Sequence, residues 1–184
     1  MPNGGAGIRD RRYLFLSTRF RSLVSCFAPS EAAVIGGPKD RATAAALGMP
    51  FAFTGDLLAA SSAMLFGNRW IPVQPVLRRW RAFLAGQSDP CCLVVPADTL
   101  PISLLLVKVA RDCPNVTVVC VQHGLFNADF DADDIEGRNS DLNLVYDSSQ
   151  RVEMERRLPG ALAEVMGLPE EFMPLEPGAG QRQA

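Results

Sequence analysis

The hydrophobic positions of this chain fall into two alternating patterns. Short runs of β-branched and other apolar residues predict strands, and segments with apolar residues at helical spacing predict helices between them. Six segments are predicted as strands: Tyr13–Thr18, Ala32–Gly37, Phe51–Thr54, Cys91–Val95, Val116–Gly124 and Asp141–Tyr146. The predicted helices are Arg19–Phe27, Arg41–Leu47 capped by Asp40, Leu57–Phe66 capped by Asp56, Val76–Leu84, Leu100–Ala110, and one that starts near Gln150 and continues over Leu162–Met166.

Strands that alternate with helices along the whole chain indicate a layered α/β domain with a parallel sheet. We therefore predict a Rossmann-like three-layer fold with a mostly parallel sheet of about six strands. The domain is expected over residues 13–168. Residues 1–12, with three glycines and a proline, are expected to form a flexible lead-in, and residues 169–184 a flexible tail.

Composition and charge narrow the class of protein. A hydrophobic content of 48% with 21% charged residues is typical of a globular domain, and 184 residues suffice for one core. The net charge of −2 gives no basic field, so no nucleic-acid partner is expected. A cluster of arginines near the amino terminus is expected to be a solvated face. Peripheral contact of that face with a membrane is left open as an alternative.

The five cysteines predict neither a disulfide framework nor a metal site. Their number is odd and none belongs to a C-x-x-C pair. Cys91, Cys92 and Cys120 lie in apolar runs, where cysteine acts as a small hydrophobe. This usage suits a reducing compartment, so we expect a cytoplasmic protein without a signal peptide or membrane-spanning segment.

The sharpest candidate site follows the predicted strand that begins at Val116. This strand ends in Gln122, His123 and Gly124, and His123 is the only histidine in the chain. Ligands of open α/β sheets bind outside the carboxyl ends of the strands, and a histidine can accept a proton near neutral pH. His123 is therefore the candidate catalytic base, with Gln122 and Gly124 as substrate-binding residues. The structural alternative is a histidine that only hydrogen-bonds within the turn.

Polar residues also follow the neighbouring predicted strand Cys91–Val95. Asp98 could accept a hydrogen bond from a ligand hydroxyl, and Thr99 could bind substrate beside it. The structural alternative for Thr99 is a cap on the following helix. The turn Gly36–Asp40 also joins a strand to a helix, but it matches no phosphate-binding motif and is predicted to be a tight turn.

An acidic segment follows Gly124. It contains Asp129, Asp131, Asp133, Asp134 and Glu136. Their spacing departs from that of a calcium-binding loop, so a solvated acidic loop is predicted and no metal site. A metal or a cationic substrate group held by this loop remains the alternative.

Two segments of the chain resemble a known group of enzymes. The first is Val121–Gly124, and the second is Ser140–Tyr146 followed by Asp147–Ser149. Together they resemble the Gln-His-Gly region in the amino-terminal half of bacterial surface-polysaccharide glycosyltransferases of GT-B architecture. This group includes capsular polysaccharide enzymes and CDP-glycerol glycerophosphotransferases. The chain departs from the latter at Leu125–Asn127, where those enzymes often have threonine, proline and lysine.

The resemblance implies that the domain is one half of a GT-B architecture. His123 would face the cleft between two Rossmann-like domains and act as general base, or position an acceptor hydroxyl that attacks an activated donor. The implied partners are a glycan or polyol acceptor and a donor-binding domain or subunit. The nucleotide-activated donor is expected on a domain absent from this chain, so no cofactor is expected here and the chain is expected to be incomplete alone.

The resulting hypothesis is an acceptor-side glycosyltransferase domain that transfers a sugar or polyol phosphate in surface polysaccharide biosynthesis. It would act in the cytoplasm, with the inner face of the membrane left open as its location. The alternative is a non-catalytic Rossmann-like module that binds a ligand or a partner. A free-standing hydrolase is less favoured, because the chain has no G-x-S-x-G motif.

Overall fold

A computed structural model of the chain describes residues 8–67, 73–122 and 137–168. These residues form one sheet of seven parallel strands with six helices around it, which confirms the predicted Rossmann-like three-layer α/β fold. The strands are β1 Tyr13–Leu16, β2 Ala32–Gly36, β3 Phe51–Phe53, β4 Cys91–Val95, β5 Val116–Val121, β6 Leu142–Val145 and β7 Ala163–Val165. The helices are α1 Arg21–Ser25, α2 Pro38–Ala46, α3 Gly55–Leu65, α4 Val73–Ala85, α5 Pro101–Ala110 and α6 Ser148–Arg157.

The strand order in the sheet is β3-β2-β1-β4-β5-β6-β7. The first three strands extend the sheet in one direction, and the chain then crosses over β1 to place β4 on its other side. Leu14 of β1 pairs with Ala33 of β2 and with Leu93 of β4. The order therefore reverses between β1 and β4, and a sheet of this kind opens a crevice at the carboxyl ends of those two strands.

The two faces of the sheet carry separate cores because successive side chains of a strand point to opposite faces. Leu14 packs with residues of α3, α4 and α5 on one face. Its neighbour Phe15 packs with Val24 of α1 and Ala44 of α2 on the other. The inner strands are buried on both faces, which explains why they are nearly continuous apolar runs.

The seventh strand corrects one prediction. The segment around β7 was expected to continue the last helix, but it pairs in parallel with β6, with Ala163 opposite Asn143. The backbone at Gly160 has a φ of 91°, a left-handed conformation that suits glycine and turns the chain back toward the sheet. Asn143 then donates its backbone N–H to the carbonyl of Leu162 at 2.9 Å.

Helix starts also differ from their predictions. Helix α2 begins at Pro38, and Gly37 precedes it as the N-cap, so Asp40 lies at the third helical position. Helix α3 begins at Gly55 after Thr54, which places Asp56 inside its first turn. Helix α4 begins at Val73, three residues earlier than predicted, and α1 is shorter than predicted at both ends. Proline suits a first helical turn because its missing N–H has no helical partner there.

The described part of the predicted lead-in packs against the domain. Ile8 is buried in the core, and Arg11 donates its backbone N–H to the Gln87 side chain at 3.2 Å and its guanidinium to the Ser30 carbonyl at 2.7 Å. None of the helices in the described part of the chain is long and apolar enough to span a bilayer.

Trp80 joins α4 to α3 beneath the sheet. Its side chain is fully buried, and the indole N–H donates to the Asp56 carboxylate at 3.1 Å. Asp56 also accepts the backbone N–H of Leu57 at 2.8 Å and forms an ion pair with Arg79. The Phe83 ring meets the indole edge-on at 5.3 Å between centroids. Helix α4 is thus held by both apolar packing and a shared carboxylate.

We predict that Trp80→Ala lowers the free energy of unfolding by about 3–5 kcal/mol, because it leaves a large cavity between α3 and α4. Trp80→Phe, which keeps most of the apolar contact and loses the N–H donor, should cost about 1–2 kcal/mol. Urea unfolding followed by circular dichroism measures both. An alanine variant within 0.5 kcal/mol of the wild type, roughly the range of a neutral surface substitution, would contradict this account.

Candidate functional site

A cleft of the described structure lies where the strand order reverses. It has a volume of about 420 Å³ and is bounded by residues that follow β1, β2, β3 and β4. Its walls combine apolar side chains with five hydroxyl groups, from Ser17, Thr54, Ser61, Ser62 and Ser103. A concave, largely apolar site with a few polar groups is typical of small-molecule binding. We call this cavity the switch-point cleft.

Asp40 connects the end of β1 to the start of α2 at the base of this cleft. One carboxylate oxygen accepts the Thr18 backbone N–H at 2.7 Å and the hydroxyls of Ser17 at 2.9 Å and Thr18 at 3.0 Å. The other accepts the Gly37 N–H at 2.9 Å. A Cβ atom on Gly36 would lie 2.5 Å from this carboxylate, so only glycine leaves room for it there.

The same network stabilises the carboxylate form of Asp40. Burial alone would raise the pKa of Asp40, but the hydrogen bonds from Thr18, Gly37 and Ser17 outweigh it and hold the pKa below its ordinary value. The network also holds Ser17 at a φ of 82°, a left-handed backbone that costs a serine free energy. Asp40 is therefore a fixed hydrogen-bond acceptor that holds the backbone at the base of the cleft in place.

Gln122 is the predicted site residue that the structure describes most fully. It follows β5, is buried, and donates its backbone N–H to the Leu144 carbonyl at 2.9 Å. Its side-chain oxygen accepts the Tyr146 N–H at 3.1 Å, and its side-chain nitrogen donates to the Gln150 side chain at 2.6 Å. Gln122 thus ties β5 to β6 and α6. His123, Gly124 and the acidic segment lie outside the described residues.

Asp98 is fully buried beyond the end of β4. Its carboxylate accepts the backbone N–H groups of Gly137 at 2.7 Å and Asn139 at 2.5 Å, and the Ser140 hydroxyl at 3.1 Å. The backbone at Gly137 has a φ of 96°, and a Cβ there would lie 2.4 Å from the Asn143 side chain. Asp98 therefore holds the segment that leads into β6, and its role as a ligand contact stays a prediction.

Thr99 is half-buried beside Asp98 and does not cap α5, because the N-cap of that helix is Leu100. The capping alternative for Thr99 is therefore wrong, while its predicted substrate contact remains a prediction. Asp98 and Gln122 lie at the carboxyl ends of the adjacent strands β4 and β5. The structure thus brings the predicted polar residues to one edge of the sheet, next to the switch-point cleft.

The cleft itself was missed from the sequence. Ser17, Thr54 and Ser103 belong to three separate segments of the chain and match no motif. They converge because β1 lies between β2 and β4, an order set by pairing between distant segments. The available signal was position, since Ser17 and Thr54 lie at the carboxyl ends of predicted strands and Ser103 lies in the first turn of a predicted helix.

Three of the described cysteines, Cys91, Cys92 and Cys113, have raised pKa values that disfavour a nucleophilic thiolate. All five are free, and burial, with smaller contributions from Cys92 and Cys113, raises the pKa of Cys91 to about 12. Burial likewise raises the pKa of Cys92 and Cys113. A thiol with a raised pKa holds its proton at neutral pH and reacts slowly. No cluster of metal-ligating side chains occurs among the residues that the structure describes.

No protein-family model matches this chain, and no curated protein sequence matches it either. The chemistry of the carboxyl edge therefore has to be inferred from its own residues.

We predict that Asp40→Asn lowers the free energy of unfolding by about 1–2 kcal/mol at neutral pH, because it weakens a charge-assisted network. A group with a depressed folded pKa stabilises the fold above its unfolded pKa and loses that contribution as the pH falls through the folded value. The difference between wild type and variant should therefore shrink below pH 3.8, the ordinary value for Asp40.

Urea unfolding over a pH series measures this difference. Asp10→Asn is the control, because Asp10 is an exposed carboxylate away from the cleft. A difference for Asp40→Asn that grew on acidification would contradict the assigned network.

We predict that Asp98→Ala costs about 2–4 kcal/mol of folding stability, because three donors lose a buried charged acceptor. Amide hydrogen exchange should become faster at Gly137 and Asn139 in particular. Thr99→Ala is the matched control at the adjacent position and should change stability by less than about 0.5 kcal/mol. Unchanged stability and exchange in Asp98→Ala would show that the carboxylate does not hold this segment.

Proposed function

We propose that this chain is the acceptor-side domain of a glycosyltransferase that acts on a glycan or polyol in surface polysaccharide assembly. The observation that carries the proposal is the end of β5. This strand ends at the anchored Gln122, at the same edge of the sheet as the cleft, and His123 is the next residue in the sequence. Ligands of sheets with this order bind at that edge.

The hydrogen bonds of Gln122 fix the point of attachment of His123, the predicted general base. Its backbone and side chain are both bound, to Leu144, Tyr146 and Gln150, so the backbone at the exit of β5 has a fixed position. A general base must lie within hydrogen-bond reach of the proton it accepts, which requires a firmly held attachment point. In this proposal Gln122 is a positioning residue for His123.

The switch-point cleft offers groups that suit a hydroxyl-rich acceptor. Thr54, Ser62 and Ser103 present hydroxyls that can both donate and accept hydrogen bonds. Leu16, Pro96 and Ile102 supply apolar wall for the carbon-bound faces of a sugar or polyol. The cleft volume of about 420 Å³ falls within the usual range for small ligands.

Exposed apolar side chains near the cleft support a second domain as partner. Leu58, Leu65 and Leu100 line the cleft and remain 54%, 65% and 46% exposed, and Phe66 at the end of α3 is 84% exposed. Grouped apolar residues on a surface are typical of interaction sites. A donor-binding domain that closed over this edge would bury them.

The proposed reaction transfers a glycosyl or polyol-phosphate group to an acceptor hydroxyl, with His123 as the one proton acceptor. His123 takes the proton from an acceptor hydroxyl while that oxygen bonds to the anomeric carbon of the donor, or to its phosphorus atom for a polyol phosphate. The bond from that atom to the nucleotide phosphate breaks, and the nucleotide leaves with the electron pair. General base catalysis of this kind contributes about 10²- to 10⁴-fold to a rate.

A specific observation favours the second candidate, a non-catalytic module that binds a ligand or partner. The polar groups of Asp98 and Gln122 are occupied by internal hydrogen bonds, which reduces the set of groups free for chemistry at this edge. The two candidates differ in one property: only the transferase needs the imidazole of His123 for turnover.

We predict that His123→Ala, assayed with its donor-binding partner, lowers the rate of transfer by about 10²- to 10⁴-fold and leaves acceptor affinity within about threefold. Product formation from nucleotide-activated donors is followed by mass spectrometry. Lys108→Ala, at an exposed position on α5, is the control and should retain full activity. Equal rates for His123→Ala and wild type would remove the catalytic assignment.

Calorimetry on the chain alone separates acceptor from donor binding. We expect glycan or polyol acceptors to bind, and nucleotide sugars to bind at least tenfold more weakly, because the nucleotide site is proposed to lie on the partner. Preferential binding of nucleotide sugars by this chain would contradict the acceptor-side proposal.

A further inference from the structure

Two buried residues that line the switch-point cleft carry hydroxyl groups without a hydrogen-bond partner among the described residues. Thr54 is 4% exposed and Ser103 is 1% exposed, and both line the cleft. Within the described part of the chain, neither hydroxyl forms a hydrogen bond, and Thr54 does not cap α3. Buried polar groups are almost always hydrogen-bonded, so these two are suited to a partner that enters the cleft.

Two helices point their amino ends at the same cavity. Helix α3, with 11 residues, starts after Thr54, and α5, with 10 residues, starts after Leu100. No side chain of the described residues caps the start of α5, whereas in the first turn of α3 the Asp56 carboxylate accepts the Leu57 N–H. The first backbone bond of α5 runs from the Leu104 N–H to the Leu100 carbonyl, so the amides of Ile102 and Ser103 precede the helical ladder. Unpaired N–H groups and the helix dipole favour an anion there.

The charged side chains among the described lining residues are the Asp40 carboxylate and the Arg19 guanidinium. Among the described lining residues, Asp40 is the one carboxylate, and its charge is taken up by Thr18, Gly37 and Ser17. Arg19 is exposed at the mouth and forms no ion pair with a described residue. These hydrogen bonds stabilise the negative charge of Asp40 without cancelling it, and Arg19 is the described lining residue that carries the opposing positive charge.

From these features we propose that the switch-point cleft binds the phosphate group of a small phosphate ester. Thr54 and Ser103 donate their hydroxyls, the first turn of α5 donates backbone N–H groups, and Arg19 supplies the counter-charge. These donors come from three separate segments, which suits the tetrahedral array of phosphate oxygens better than a planar carboxylate. The apolar walls at Leu16 and Ile102 contact the organic part of the ester.

This site lies in the cleft proposed for the acceptor and uses two of the same hydroxyls, those of Thr54 and Ser103. It uses neither His123 nor Gln122, and it requires no second domain. A phosphate group on the acceptor, or a separate phosphorylated ligand, would satisfy the same donors.

Calorimetry at low salt with matched pairs of ligands tests the site. The pairs are glycerol 3-phosphate against glycerol and glucose 6-phosphate against glucose, with inorganic phosphate as a further probe. We expect at least one ester to bind at least tenfold more tightly than its parent alcohol, with affinity that falls as salt is raised. Ser103→Ala and Thr54→Val should each weaken that ester by about tenfold and the parent alcohol by less, because each removes one hydrogen bond to a charged oxygen.

Matched controls come from outside the cleft. Thr117→Val removes an exposed hydroxyl near the opposite end of β5 and is the control for the two hydroxyl variants. Arg78→Gln removes an exposed cation on α4 and is the control for Arg19→Gln. Neither control should change the affinity. The proposal would be overturned by equal affinity for esters and alcohols, or by equal losses in the controls. It would also be overturned if no ester and no inorganic phosphate bound, and water would then be the partner of the two hydroxyls. Binding of neutral glycans alone would overturn it while leaving the acceptor-side proposal intact.

Discussion

Parallel pairing on both sides of β1 is the constraint on which the rest of the molecule depends. Each residue of β1 has neighbours in β2 and, over most of its length, in β4, so the chain must leave one side of the sheet and return on the other. The long connection through α3 and α4 makes that crossing, and Trp80 with Asp56 holds the two helices together. The carboxyl ends of all seven strands then share one edge, and the crossing leaves the cleft there open.

Hydrogen bonding at this edge divides the polar residues into two groups. Asp40, Asp98 and Gln122 are fixed by several partners each and shape the backbone around them. Thr54 and Ser103 are equally buried but keep their hydroxyls free of described partners. A polar side chain at the end of a buried strand can therefore support a site or contact its ligand. The number of hydrogen bonds that it forms within the protein separates the two roles.

The fold could be predicted from the sequence because buried strands are recognisable as short apolar runs. The apolar runs at β2, β4 and β5 are fully or largely buried, and each was placed nearly within its observed bounds. The strand β7 was missed because it has only three residues, partly exposed, with no alternation to identify it. The candidate site was harder, since the convergence of Ser17, Thr54 and Ser103 depends on strand order. Strand order is set by contacts between distant segments and leaves no periodic trace in the sequence.

Both strands at the margins of the sheet are short, and this affects how the protein behaves at high concentration. β3 and β7 have three residues each, whereas the central β5 has six. An exposed strand edge is a template for pairing with another chain, and a short edge offers that chain few backbone groups. Two molecules meeting edge to edge would form only a brief ladder, too little to offset the entropy of association. The described margins of the sheet therefore offer little backbone for extension, whereas the open carboxyl edge, with its apolar rim, offers a surface for specific contact.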